Sequence, residues 1–148
     1  MANFVLVHGA FDGAWCWEQT ADDLRAAGHN VLAPDLPGAG NDHTPPSEVT
    51  LAAATERVLG CLRSLAPAVL VGHSMGGIVI TQAAAQEPRL ISRLVYVAAF
   101  LPQDGESLLD LTHLPEAVGG QVEEHLTVSD DPPIGTFDVT KAQEVFYH

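Results

Sequence analysis

The chain has 148 residues, of which 47% are hydrophobic and 17% charged, values of a one-domain globular protein rather than a disordered or coiled-coil chain. Six Lys and Arg stand against 19 Asp and Glu, a formal charge of −13, and this excess repels nucleic-acid phosphates and anionic membrane surfaces alike. Its two cysteines, Cys16 and Cys61, have neither the number nor the spacing of a disulfide framework or zinc site, so no metal and no cofactor is expected.

Met1-Ala2-Asn3 leads straight into Phe4-Val5-Leu6-Val7, a run too short for a signal core; nothing in the chain reaches membrane-span length, and a cytoplasmic location is the default expectation. That first run reads as a strand over 3–7. It ends in His8-Gly9-Ala10, a turn where a backbone N–H can face a neighbouring strand. Trp17, Ala21 and Leu24 recur at helical spacing, with Gly28 as a stop, and predict a helix over 17–27 with Trp17 in the core. A second strand over 30–33 leads to Asp35-Leu36-Pro37-Gly38, where Asp35 reads as a turn or cap residue. Thr50 is a candidate N-cap for a helix whose apolar stripe is Leu51, Ala54, Val58, Leu62 and Leu65, closing before Pro67.

The third strand, 67–72, runs into Gly72-His73-Ser74-Met75-Gly76, and Gly77-Ile78-Val79-Ile80 begins a helix that continues to Pro88. A glycine two residues either side of a serine, between strand and helix, is expected about 0.05 times by chance at this composition. The pattern fits a nucleophilic serine. A hydroxyl becomes a useful nucleophile when it is held at a fixed, exposed point beside a base and oxyanion donors. The tight turn supplies the point, and Gly72 and Gly76 leave the space it needs. The N–H groups of Met75, just after the serine, and of Ala10, from the neighbouring turn, are the candidate oxyanion donors.

A fourth strand over 93–98 completes a strand–helix alternation that predicts an α/β fold, a mainly parallel sheet between two helical layers. From Leu101 the alternation fades into Pro102, Gly105, Pro115, Gly119-Gly120 and Pro132-Pro133. The charge shifts at the same place: residues 104–148 hold ten of the acids and, among the bases, only Lys141. The division predicted is therefore 1–103 as the sheet core and 104–148 as the start of a lid or cap.

His8-Gly9-Ala10 with Trp15-Cys16-Trp17, Asp35-Leu36-Pro37-Gly38, Gly72-His73-Ser74-Met75-Gly76-Gly77 and Tyr96-Val97-Ala98-Ala99-Phe100-Leu101-Pro102, in this order, resemble the α/β-hydrolase superfamily. Within it they are similar to the small esterase and hydroxynitrile lyase branch that includes plant methylesterases, and the match covers nearly the whole chain. The resemblance implies a serine hydrolase of small carboxylic esters acting through an acyl-enzyme. Ser74 is then the nucleophile, with Ala10 and Met75 as oxyanion donors, His73 packing locally and His8 shaping the oxyanion turn.

In this fold the acid and then the histidine follow the serine in the chain. Neither is evident here, so both are expected beyond residue 148, and the chain reads as the first half of an incomplete fold. Asp104, after the strand beside the serine strand, is the internal candidate for the acid. His113, His125 and His148 follow no sheet strand, and Asp130-Asp131-Pro132-Pro133 lacks the further ligands of a metal site. Two other readings stand beside the esterase: an inactive or non-catalytic binding protein of the same fold, and a hydroxynitrile lyase. The fourth strand, left as a sheet edge, predicts association into homo-oligomers.

Overall fold

Four short apolar runs pair into one parallel sheet: β1 (Asn3–Val7), β2 (Asn30–Leu32), β3 (Ala68–His73) and β4 (Ile91–Val97), in the order β2-β1-β3-β4. The structure, a computed structural model, describes residues 1–114, 121–129 and 134–146. The strands lie within one or two residues of their predicted bounds.

Side chains alternate across a strand, and the two faces of this sheet take different helices. Val5, Val7, Ala68 and Leu70 pack with Val58, Leu59 and Leu62 of α2 (Leu51–Leu65) and Val79, Ile80 and Ala83 of α3 (Gly76–Gln86). On the other face, Leu6, Val31 and Val71 pack with Ala21 of α1 (Glu18–Ala26) and with Trp17 and Leu24. This is the predicted three-layer α/β/α arrangement.

The winding explains the division. The chain crosses from β1 to β2 in one direction and from β2 past β1 to β3 in the other. Right-handed crossovers therefore place α1 on one face and α2 and α3 on the opposite one. The reversal leaves a crevice at the carboxyl ends of β1 and β3, the position where α/β sheets bind ligands.

Thr50 caps α2 as its sequence position predicts, its Oγ1 accepting from Ala53 N at 3.1 Å. Two details differ from expectation. Trp17 lies in a 3-10 turn, Ala14–Trp17, ahead of α1 rather than inside it. Leu51 is 45% exposed because the buried stripe of α2 begins one turn later, at Ala54.

β4 is covered poorly. Tyr96 and Ile91 pack on the α2–α3 side, but Leu94, Val95 and Val97 are 38%, 38% and 42% exposed. Its edge away from β3 is unpaired among the described residues.

The chain divides into compact units Met1–Leu108 and Leu109–His148. In the second, β5 (Leu126–Val128) pairs antiparallel with β6 (Gly135–Phe137), Leu126 opposite Phe137. The buried Phe137 ring meets His125 edge-on at 6.3 Å and Phe146, on α6 (Ala142–Phe146), at 5.0 Å. Short helices α4 (Leu108–Thr112) and α5 (Gln121–Glu124) precede this pair.

Leu70, fully buried at the centre of β3, carries packing on the α2–α3 face. Leu70→Ala is expected to lower unfolding free energy by about 2–5 kcal/mol, read as a lower urea midpoint at an unchanged slope.

Candidate active site

Ser74 sits between the end of β3 and the start of α3 with φ +52°. That is left-handed backbone, which costs an L-residue of this kind on the order of 1–2 kcal/mol and persists only where neighbours hold it. Three backbone bonds do so. The Ser74 carbonyl accepts from Gly77 N at 3.0 Å and Phe100 N at 3.1 Å, while its own N–H donates to Val97 O at 3.4 Å. The serine is thereby tied to α3 and to the chain leaving β4.

The flanking glycines are steric requirements. A Cβ on Gly72 would stand 2.8 Å from Gly76 O, and one on Gly76 would stand 2.8 Å from the carbonyl oxygens of both Val7 and His8. The start of α3 therefore presses on the end of β1, and this close approach brings the first loop to the serine. A Cβ on Gly9 would lie 2.9 Å from Ser74 Cβ.

That loop is built by polar contacts. His8 is 1% exposed; its Nε2 accepts from Leu36 N at 3.1 Å, which leaves Nδ1 as the protonated nitrogen donating to Gly9 O at 2.8 Å. Both ring nitrogens are engaged in shaping the turn, the role its position suggested. Asp35 accepts from Ala14 N at 2.6 Å and Asn41 N at 3.0 Å. Burial pushes its carboxyl upward, but these N–H donors outweigh burial and hold it below the usual carboxylate range. Asp35 is thus an anchor for two loops, in keeping with its turn reading.

Among the described residues, neither Ala10 N–H nor Met75 N–H donates a hydrogen bond to the protein, and Ser74 Oγ has no hydrogen-bond partner. Unpaired backbone donors occur where solvent or a ligand can reach them, as at these half-buried residues. Here two of them belong to the residues predicted as oxyanion donors.

Sequence reading did not single out Asp12. Its Oδ2 lies 3.7 Å from His73 Nδ1, and the His73 ring meets Trp17 edge-on at 6.4 Å. Burial raises the Asp12 carboxyl above its ordinary value against the pull of His73 and His8. Burial, with the Asp12 charge adding to it, pushes the neighbouring Cys16 thiol up to about 12, so Cys16 is an unreactive thiol at neutral pH.

The remaining candidates lie elsewhere. Asp104 is exposed in the turn before Gly105 and forms no hydrogen bond with a histidine among the described residues. His113 is exposed, and His125 packs on Phe137. His148 and the segment 130–133 lie outside the described residues. Among the described residues no group of three or more His, Cys, Asp or Glu is placed to hold a metal, and no helix is long and apolar enough to cross a membrane. A groove of about 650 Å³ lined by Thr44, Glu48, Arg57 and Cys61 includes no residue of the serine turn or the first loop.

A sequence model of the alpha/beta hydrolase family matches residues 4–148. A carbendazim hydrolyzing esterase from Nocardioides sp. is 48% identical over 82% of this chain and 51% of its own length. Methylesterase 7 from Arabidopsis thaliana is 44% identical over 68% of this chain and 40% of its own. Among solved structures, a variant of polyneuridine aldehyde esterase superposes with a TM-score of 0.82 at 29% identity, over 96% of this chain and 60% of that one. The chain thus spans about half the length of these curated relatives.

The contacts at Gly76 and Gly60 give opposite expectations for one substitution. Gly76→Ala forces a Cβ onto two carbonyl oxygens and is expected to lower stability by about 1–3 kcal/mol. Gly60, inside α2 with nothing within 4 Å of its Cβ position, is expected to gain about 0.5–1 kcal/mol on Gly60→Ala. Paired thermal melts read both signs.

Proposed function

The chain belongs to the alpha/beta hydrolase family, and from that premise we propose that it is the serine-bearing part of a hydrolase of small carboxylic esters. The observation that carries this reading is Ser74 in left-handed backbone at the crevice, with the N–H groups of Ala10 and Met75 unpaired among the described residues. The relatives named as esterases support the substrate class.

In the proposed reaction Ser74 Oγ forms a bond to the ester carbonyl carbon and passes its proton to a base. The oxygen that becomes negative is received by Ala10 and Met75 N–H. The bond to the alcohol then breaks as the base returns its proton, leaving an acyl-serine that water hydrolyses by the same route. The base and its acid partner are proposed to lie outside residues 1–148, with Asp104 the alternative acid within them. Residues 104–148 are proposed as the beginning of a lid.

Ser74 Oγ, without a hydrogen-bond partner among the described residues, also supports the second reading, that these 148 residues alone are inactive. Without a base, roughly 10³-fold acceleration over water remains from oxyanion binding in well-studied triads. Turnover of a short-chain aryl ester and phosphonate labelling of Ser74 are expected from a working hydrolase, with both abolished in Ser74→Ala. Equal rates in parent and Ser74→Ala contradict the catalytic reading.

By the same reading the β4 edge, unpaired among the described residues, drives self-association of the chain, as exposed apolar edges do. Light scattering is expected to show concentration-dependent oligomers that Val95→Lys with Val97→Lys disperses. A monomer at high concentration in the parent counts against it.

A further inference from the structure

The first loop is nailed at both ends. His8 Nδ1 donates to Gly9 O at one end, and Asp35 receives Ala14 N at the other. Between them lies the segment that carries Ala10, and it is strained: Phe11 has φ +64°, a conformation that a bulky residue keeps only when its surroundings impose it.

Asp12 is where this segment meets the serine turn. Its carboxylate faces Nδ1 of His73, the residue immediately before Ser74, at 3.7 Å, with side chains 19% and 36% exposed respectively. A carboxylate attracts an imidazolium there, and a neutral ring as well when Nδ1 carries the proton. Trp17, packed against the Leu6, Ala21, Val31 and Val71 cluster, meets that ring edge-on at 6.4 Å.

We propose that Asp12 and His73 form a positioning clip that holds the Ala10 segment against the Ser74 turn, so that both N–H donors face one oxygen. The functional part of this claim rests on the reading of Ser74 as nucleophile; the clip itself does not.

Asp12 is an unfavourable residue for stability in this place. Its carboxyl is raised by burial, with His73 and His8 opposing; the other titratable neighbours of the cluster are Cys16 and, beyond it, Asp35. An acid whose folded pKa lies above its unfolded value adds stability below that unfolded value and loses it as pH rises through the folded one. Ionised Asp12 therefore costs stability at neutral pH. A residue that weakens the fold while ordering one loop is the trade expected at a functional site.

The clip separates from a purely structural role in Asp12→Asn, which resembles the protonated acid at every pH. At pH 7 the variant is expected to melt no lower than the parent, yet to take up deuterium several-fold faster over residues 9–14. At pH 3, below the ordinary aspartate value from which Asp12 is raised, the two proteins are expected to exchange alike. Phosphonate labelling at Ser74 at pH 7 is expected to slow about tenfold in Asp12→Asn and to recover in part in Asp12→Glu. Equal exchange of residues 9–14 in parent and variant at pH 7 overturns the clip, as does a lower melting point with exchange raised across the whole chain. Labelling that persists in Ser74→Ala overturns the nucleophile reading instead, and the exchange result still decides the clip.

Discussion

The arrangement around Ser74 depends on two missing β-carbons. Without side chains at Gly72 and Gly76, the start of α3 closes to within 2.8 Å, measured from a Cβ position, of the Val7 and His8 carbonyls. Any larger residue would lift the helix off β1 and separate the serine from the first loop. The reversal of winding between β1 and β3 selects where this contact occurs, because only there do the loops leaving two adjacent strands diverge to opposite faces of the sheet. Backbone strain at Ser74 follows from the same closure. The turn is held by Gly77, Phe100 and Val97, three groups on the elements that border it.

Two acids of the first crevice behave in opposite ways for reasons visible in their partners. Asp35 collects backbone N–H donors, which favour its charged form and let it act as an anchor for the 8–17 and 35–42 segments. Asp12 has no such donor among the described residues, is pushed toward its neutral form by burial, and faces His73. Chemically identical side chains therefore shift in opposite directions.

The parts of the fold legible in the sequence were those written in local pattern. Val5-Leu6-Val7 and Ala68-Val69-Leu70-Val71 announce strands, Thr50 announces a helix start, and the glycines around Ser74 announce a strained turn, because each signal spans a few adjacent residues. The β5–β6 pair was not legible: three residues per strand are too few to show alternation. The Asp12–His73 contact was hidden for another reason. It joins residues far apart in the chain, and an aspartate beside a glycine reads as an ordinary turn until the crevice brings it to His73. The edge position of β4 follows from its being the last strand read in the sequence, whereas the exposure of Val95 and Val97 on its face has another origin: α1 covers β1 and β2 and leaves that side of β4 open.

The central claim is that the two unpaired N–H groups and Ser74 converge on one oxygen. A crystal structure of the phosphonylated protein tests it directly. A bond from phosphorus to Ser74 Oγ is expected, with the phosphoryl oxygen about 2.7–3.1 Å from both Ala10 N and Met75 N. A phosphonate on Ser74 whose oxygen points to solvent, or one attached at another residue, would contradict it.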